Sequence, residues 1–448
     1  MKTDKYRRLL SCCPSLLDAA DKTANDMNED LQNNIPAQVT AYVTAPVLFC
    51  YVSYILDSVK KKNINRIFFL SRDGYILKQI ADIIIERKKL KIQTSYLYVS
   101  RYSLRNALYY KCETAEDFEN AGLFTGYTLK SAKNFLKRAG IDNRQRAEVY
   151  EKIGFSDDEN KDLSDSEYSA FCEKIKNDSA LLCKIKNNSE NNYHNIMKYF
   201  EQSGLFEKGK IAVVDSGWMG TVQKTLTALV NGRTDDNIIG YYFGLYRRED
   251  DNYKAFLFDV TDAYKYVPTF CNNLFECFCS APHGMTTGYS ECDGKIIPVL
   301  SGANAEMVKM AEIQTKTAVG FTEYACENEN YIPICKMRDI SARLLKALMY
   351  KPDKQEAEIL GAFPFSDDVT EAKIQRLAGN CKGSISNILL PVRIIRKKKG
   401  KSIYPDKYIY WLYGSIVLTG CKPAWVYRLS VREWERLRLL RERRKLCR

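Results

Sequence analysis

A hydroxyl, a guanidinium, a carboxylate and a glycine follow one another at Ser71, Arg72, Asp73 and Gly74, directly after the apolar residues 67–70. A short apolar run of this kind is typical of a strand buried on both faces, and the apolar spacing that follows is helical. Strand, polar turn and helix in this order present side chains at the carboxyl end of a parallel strand, where this group would suit phosphate. The same turn would also serve as a helix N-cap, and the spacing does not decide between the two interpretations.

A second predicted strand, residues 94–99, also ends in a serine and an arginine, Ser100 and Arg101. Two strands that end in this way would bring two guanidinium groups to one edge of the sheet. The planar fork of arginine binds phosphate or carboxylate in two places at once. The alternative interpretation pairs both arginines with nearby acidic side chains of the protein.

The third stretch repeats this order at residues 210–221, where a buried strand ends in an acidic residue and a glycine-containing loop enters a helix. Such a loop directs several backbone N–H groups at one point, where anions bind. The pattern is neither that of a dinucleotide fold nor that of a P-loop. A tight turn with the tryptophan in the core is the alternative. The residues concerned are Asp215, Ser216, Gly217, Trp218, Gly220 and Thr221.

Two later residues, Glu276 and His283, are further candidates for binding a substrate. With only two histidines in the chain, a multi-histidine metal site and a histidine-based nucleophilic triad are disfavoured. Asp73 and Asp215 would then share Mg²⁺, or serve as nucleophile and metal ligand, while the two arginines neutralise phosphate.

The elements that must position these residues predict an α/β fold, in which strands and helices alternate around a parallel sheet. Residues 112–205 lack a clear strand and are interpreted as a helical insertion or cap. Farther along the chain, Asp293 and Gly294 predict the turn of a hairpin. The predicted divisions are an N-terminal helical and polar segment (1–38), the first part of the core (39–111), the insertion (112–205), the second part of the core with the hairpin (206–300), a helical region (301–390) and a basic aromatic tail (391–448).

The 15 cysteines form no CxxC pair, and the chain begins without a secretory signal. These features predict free thiols in a reducing cytoplasm. No apolar run was expected to reach the length of a membrane span, the nearest being residues 408–417.

The net charge of +13 belongs to the last segment, because residues 391–448 carry 17 Lys and Arg against 4 Asp and Glu. Aromatic residues among the basic ones, without a nucleic-acid-binding motif, favour an anionic membrane surface over nucleic acid. A basic helix packed on the main domain is the alternative. A chain ending near Leu390 is expected to remain soluble and to lose the attachment.

Taken together, three sequence segments resemble those of the haloacid-dehalogenase-like (HAD-like) proteins of bacterial surface-polysaccharide gene clusters. They are Phe-Leu-Ser-Arg-Asp-Gly-Tyr at 69–75, Tyr-Val-Ser-Arg at 98–101 and Val-Asp-Ser-Gly-Trp-Met-Gly-Thr-Val-Gln at 214–223. Glu276, residues 280–282 and residues 288–289 fit the later part of the same pattern. The resemblance covers roughly residues 40–300, and residues 363–365 show a weaker similarity.

The resemblance implies a Rossmann-like core and Mg²⁺-dependent phosphoryl transfer through an aspartate nucleophile, which normally belongs to an Asp-x-Asp pair. No such pair follows a predicted strand here, because Tyr75 and Gly217 stand two residues after Asp73 and Asp215. Ser71 would instead match the strand-end Ser or Thr that holds phosphate in the superfamily.

Three hypotheses about function follow, all placed in the cytoplasm at the inner face of the cytoplasmic membrane. The chain acts on a phosphorylated sugar or nucleotide sugar, or it is a non-catalytic binding partner of a glycosyltransferase, or it is a glycosyltransferase itself. The first predicts that Asp73, Arg101 and Asp215 converge around one cleft.

Overall fold

The computed structural model describes residues 3–125, 129–234, 238–327, 332–366, 374–405 and 407–446. The strands are β1 (Arg66–Leu70), β2 (Gln93–Leu97), β3 (Ile211–Asp215), β4 (Ile239–Gly244), β5 (Tyr253–Phe258), β6 (Thr286–Cys292), β7 (Lys295–Leu300), β8 (Pro364–Phe365) and β9 (Gln375–Arg376). The α-helices are α1 (Asp4–Leu10), α2 (Pro14–Asn25), α3 (Glu29–Gln32), α4 (Ile35–Val39), α5 (Ala45–Lys61), α6 (Gly74–Arg87), α7 (Arg101–Leu108), α8 (Ala115–Asn120), α9 (Ala132–Arg138), α10 (Asn143–Lys152), α11 (Asp165–Lys176), α12 (Ser179–Gln202), α13 (Thr221–Val230), α14 (Ala263–Tyr266), α15 (Asn272–Phe278), α16 (Ala305–Glu327), α17 (Ile334–Met349), α18 (Lys354–Gly361), α19 (Leu390–Lys398), α20 (Leu412–Thr419) and α21 (Ala424–Leu446).

Five parallel strands form the central sheet in the order β2-β1-β3-β4-β5. The predicted α/β class with a parallel sheet is confirmed, and the architecture is compatible with a Rossmann-like fold. Strands β1 to β3 lie where the sequence predicted them, and β4 coincides with a further predicted strand, residues 238–245. The edge strand β5 was not anticipated from the sequence.

Helices cover both faces of this sheet, which is why its inner strands β1, β3 and β4 are buried at nearly every position. Phe69 and Val214 point to the face covered by α5 and α6, and they belong to the largest core cluster. Their neighbours Phe68 and Val213 point to the opposite face, which α7, α12 and α13 cover. Successive side chains of one strand therefore anchor two separate helical layers.

The segment between β2 and β3 contains helices and no strand among its described residues. Its helices α8 to α11 pack around a core of their own that includes Phe118, Phe135 and Phe171. The 24-residue helix α12 leads from this core back to the sheet, where it packs on α7 and on the β6–β7 hairpin. The predicted hairpin turn is present between β6 and β7.

One helical stretch, Ile35–Lys61, corrects the expectation that no apolar run is long enough to span a membrane. It joins α4 and α5 through a π-helical turn, Thr40–Thr44, and its 27 residues have the length and apolar composition of a span. However, 94% of its apolar window is buried inside the protein. Its apolar side chains are thus accounted for by packing on the sheet.

The C-terminal basic segment is not a free tail, because several of its side chains belong to the main core. Trp411 is 1% exposed, and Tyr413, Ile416 and Val431 are buried in the same cluster. Trp411 also donates its Nε1–H to the carbonyl oxygen of Met349 at 2.8 Å. A chain ending near Leu390 would uncover this core, so we expect it to be destabilised as well as to lose the basic segment.

Candidate functional site

The three polar turns singled out in the sequence lie at one edge of the sheet. They follow β1, β2 and β3, which are neighbours in the parallel sheet and therefore end on the same side. The chain order reverses at β1 and β3, and open α/β sheets bind ligands in the crevice beside such a switch point. Helices α6, α7 and α13 begin at this edge and direct their positive dipole ends toward it.

A cleft of about 500 Å³ opens at this edge. Twelve of the fourteen residues predicted for the site line it, whereas Gly74 and Gly220 do not. The twelve are Ser71, Arg72, Asp73, Ser100, Arg101, Asp215, Ser216, Gly217, Trp218, Thr221, Glu276 and His283.

Ser216 joins the two carboxylates that follow β1 and β3. Its backbone N–H donates to Asp215 Oδ1 at 2.9 Å, and its hydroxyl donates to Asp73 Oδ2. The hydroxyl of Tyr51 donates to the carbonyl oxygens of Asp215, at 2.8 Å, and Tyr241, at 2.9 Å. One oxygen of each carboxylate lies outside the bonds with Ser216, and both residues line the cleft.

The electrostatics of the cleft make this pair of carboxylates a strong acceptor of positive charge. Burial raises the pKa of Asp215 well above its usual range, and the neighbouring Asp73 and Glu276 raise it further. Burial also raises the pKa of Asp73, while the hydrogen bond from Ser216 and the guanidinium groups of Arg72 and Arg101 oppose that rise. A proton or a cation between Asp73 and Asp215 would relieve their repulsion.

Arg101 follows a different strand but interacts electrostatically with both carboxylates. Its positive charge lowers the pKa of Asp73 and of Asp215. It is exposed at the first turn of α7, in the wall of the cleft. The structure therefore brings Asp73, Arg101 and Asp215 together around one cleft, as the enzyme hypothesis requires.

The donor set around Asp73 and Asp215 fits Mg²⁺ only in part. Among the described residues no group of three or more His, Cys, Asp or Glu could hold a metal ion. Mg²⁺ in phosphate-handling proteins is often held by only one or two carboxylates, with substrate phosphate and water completing its shell. The two carboxylates would meet that smaller requirement, provided that a phosphate supplies the other oxygens.

Trp218 packs in the core rather than standing free in the cleft. Its ring is 8% exposed and lies beside Phe258, Phe270 and Phe275, with ring centroids 5.3 to 6.2 Å apart. Its Nε1–H donates to Glu276 Oε1 at 2.6 Å. Trp218 thus positions the carboxylate of Glu276, and the core alternative considered for this tryptophan describes most of its surface.

Ser71 and Ser100 hold the polar turns in place. The Ser71 hydroxyl donates to the carbonyl oxygen of Val99 at 2.7 Å and accepts the N–H of Val99 at 3.0 Å, so it ties the end of β1 to the residues after β2. Ser100 caps α7 by accepting the N–H of Ser103 at 2.9 Å, and its hydroxyl is 2.6 Å from the carbonyl oxygen of Thr286. The N-cap alternative considered for the turn after β1 is not borne out by its side chains, because the Ser71 hydroxyl is bonded to Val99 and Asp73, at the N-cap of α6, makes no side-chain capping bond.

His283 uses both ring nitrogens within the protein. Nδ1 lies 2.8 Å from the carbonyl oxygen of Gly284, which can only accept, so Nδ1 carries the proton. Nε2 then accepts from the hydroxyl of Tyr96 at 2.8 Å. Burial lowers the pKa of His283, and the charge of Arg72 adds to this effect. A neutral ring held in place by two hydrogen bonds is the result.

The two glycines that do not line the cleft are required by packing. A Cβ at Gly74 would approach the backbone carbon of Phe69 to 2.7 Å, so glycine allows α6 to start tightly against β1. Gly220 has φ +65° at the N-cap of α13, and a Cβ there would lie 2.4 Å from the ring of Tyr253. Both glycines shape the turns rather than contact a ligand.

A second wall of the cleft was not anticipated from the sequence. It comes from segments that contain no acidic strand end, and no motif in the sequence marked its residues as part of a site. This wall includes Tyr246, Asn272, Ser301, Asn304 and Met307.

Comparison with protein-family models and with curated proteins gave no match. The site is therefore interpreted from its own geometry.

Proposed function

We propose that this chain binds a phosphorylated sugar or nucleotide sugar in the cleft and acts on it by Mg²⁺-dependent phosphoryl transfer or hydrolysis, as a HAD-like protein of bacterial surface-polysaccharide biosynthesis. The observation that carries the proposal is the convergence of Asp73, Asp215, Arg72 and Arg101 in one cleft of about 500 Å³. A cavity of this size is within the range of small-molecule sites.

The charges of the cleft support a phosphate rather than a neutral sugar alone. Arg101 and the amino ends of α6, α7 and α13 favour an anion. Asp73 and Asp215 would repel the same anion unless a cation lies between them. A phosphate ester that arrives with Mg²⁺ satisfies both requirements at once.

In this proposal Asp73 and Asp215 hold Mg²⁺, which would supply charge neutralisation at the phosphate. Arg72 and Arg101 bind the equatorial phosphate oxygens and stabilise the charge that develops on them. Ser216 keeps Asp73 in a fixed orientation, and Trp218 does the same for Glu276. The carboxylate pair is thus preorganised before substrate binds.

A panel of sugar phosphates and nucleotide sugars, assayed for turnover with and without Mg²⁺, tests the proposal. Asp73→Asn should abolish turnover, because it removes one of the paired charges while nearly preserving the shape of the side chain. Asp251→Asn is the matched control, since its carboxylate is 91% exposed outside the cleft. Turnover that survives Asp73→Asn unchanged would contradict a role for this carboxylate.

The second candidate is a non-catalytic partner of a glycosyltransferase, or a glycosyltransferase. It is favoured by the missing Asp-x-Asp pair, because Tyr75 and Gly217 stand two residues after Asp73 and Asp215. The Ser71 hydroxyl is already engaged with Val99. Ligand binding without turnover across the panel would favour a partner, and transfer of the sugar from a nucleotide sugar would favour a glycosyltransferase.

Attachment to the inner face of the cytoplasmic membrane is part of the same proposal. Apolar side chains are exposed beside basic ones in α19 and α21, namely Ile394 (44%), Ile395 (55%) and Trp425 (64%). Basic and apolar side chains on one surface suit the headgroup layer of an anionic membrane. No nucleic acid is expected as a partner.

A further inference from the structure

A second cavity, of about 430 Å³, adjoins the polar cleft. The two cavities share four lining residues, Cys277, Ser280, Met307 and Pro364, which form the boundary between them. The two cavities therefore lie directly next to each other.

The second cavity differs in chemistry from the first, because its wall is largely apolar. Its apolar lining residues include Ile35, Met307, Met310, Ile313, Ile359 and Phe363. Burial raises the pKa of the Cys277 thiol well above its usual value, so the boundary stays uncharged at neutral pH. An apolar cavity of this size is expected to bind apolar groups.

The apolar cavity is lined in part by α18, which contacts the C-terminal segment. Ile359, on α18, lines the cavity and is 43% exposed. Helix α18 packs against α20, and the rings of Phe365, in the polar cleft, and Tyr410 are 5.2 Å apart. Helix α20 in turn packs against α21, so the cavity is connected through α20 to the helices that carry the surface proposed to face the membrane.

We infer that the substrate is an amphiphile, a phosphate or diphosphate ester whose phosphate lies between Arg101 and the Asp73–Asp215 pair while its aliphatic chain occupies the apolar cavity. This inference rests on the proposed function and narrows its substrate class to lipid-linked phosphates. The adjoining cavities supply what the two halves of such a molecule need, a polar anion site and an apolar site for the chain.

Calorimetric titration of the full-length protein with methyl phosphate, octyl phosphate and 1-octanol, in the presence of Mg²⁺, tests the inference. The two phosphates share a headgroup and differ only in the chain. Burial of the longer chain should tighten binding about a hundredfold, which needs only part of the roughly 0.8 kcal/mol available for each buried methylene. 1-Octanol should bind more weakly than octyl phosphate, because it lacks the anionic group.

Ala362→Trp tests the apolar cavity without changing the polar cleft, because Ala362 lines only the apolar cavity. Since Ala362 is exposed, an indole at this position should fill the cavity at low cost in folding stability. Octyl phosphate should then bind no better than methyl phosphate, whose affinity stays unchanged. Gln355→Trp, at an exposed position of α18 outside the cavity, is the matched control. Ile359→Asp provides a second variant in case the first fails to fold.

The outcomes distinguish this inference from the proposed function. Equal affinity of the wild-type protein for methyl and octyl phosphate would overturn the amphiphilic substrate and leave the phosphate site standing. Octanol binding as tight as that of octyl phosphate would also overturn it. Failure of both phosphates to bind would refute the proposed function together with the inference. Arg101→Ala should weaken both phosphates alike.

Discussion

Membrane attachment through the C-terminal segment can be tested without disturbing the core to which that segment contributes. Lys398, Lys399 and Lys401 are exposed at the end of α19, close to the exposed Ile394 and Ile395. Replacing these three lysines by glutamine removes three positive charges and no buried contact. The variant is therefore expected to fold like the wild-type protein.

The expected loss follows from the number of charges. Each Lys or Arg near an anionic surface contributes about 1 kcal/mol, so three lysines contribute about 3 kcal/mol, or roughly 150-fold in the partition coefficient. The assay is co-sedimentation with liposomes that contain anionic lipid, at low salt. Rising salt should release the wild-type protein, because the attraction is screened over about 10 Å at 0.1 M.

A second triple variant controls for net charge. Lys60, Lys61 and Lys62 are exposed at the end of α5, and replacing them by glutamine changes the net charge by the same amount. Sedimentation of this control should stay close to that of the wild-type protein. Equal weakening by both triple variants, or no weakening by either, would refute a localised membrane-binding surface.

Three further predictions concern stability. Because the folded pKa of Asp215 is raised, the folded protein retains a proton that the unfolded chain releases, so stability falls as pH rises from about 3.8 toward the folded pKa. Asp215→Asn should reduce this slope in denaturant unfolding to the part that Asp73 contributes, and an unchanged slope would contradict it. The folded pKa of His283 is lowered, so stability should fall as pH drops below about 6.5. His283→Phe should flatten that fall, and a steeper fall would contradict the lowered pKa. Trp411→Ala should lower the free energy of unfolding by about 3–5 kcal/mol, as for other buried aromatic residues, whereas the exposed Trp425→Ala should change it by less than about 0.5 kcal/mol.

The strands β1 to β4 and the class of the fold could be predicted from the sequence because their signal is local. A strand covered by helices on both faces must be apolar at nearly every position, and residues 67–70 and 211–214 satisfy that condition. The edge strand β5 escaped prediction, since Lys254 and Ala255 interrupt its buried positions.

The sequence also predicted which residues would meet in the candidate site, because the carboxyl ends of parallel strands lie at one edge of the sheet. The tertiary structure alone decided what each side chain does there. It turned the ring of Trp218 into the core, engaged both ring nitrogens of His283 and used the Ser71 hydroxyl to join β1 to the residues after β2. These outcomes depend on partners far away in the chain.

The apolar cavity beside the cleft is the clearest example of a feature that could not be predicted from the sequence. Its wall is assembled from residues 33–36, 277–280, 306–313 and 359–364, four segments that are distant in sequence. Each segment taken alone has the apolar pattern of an ordinary core helix or loop, and nothing local marks it as the wall of a cavity. Local composition determines which residues are buried and which strands form, whereas a cavity exists only where separate elements fail to fill the space between them.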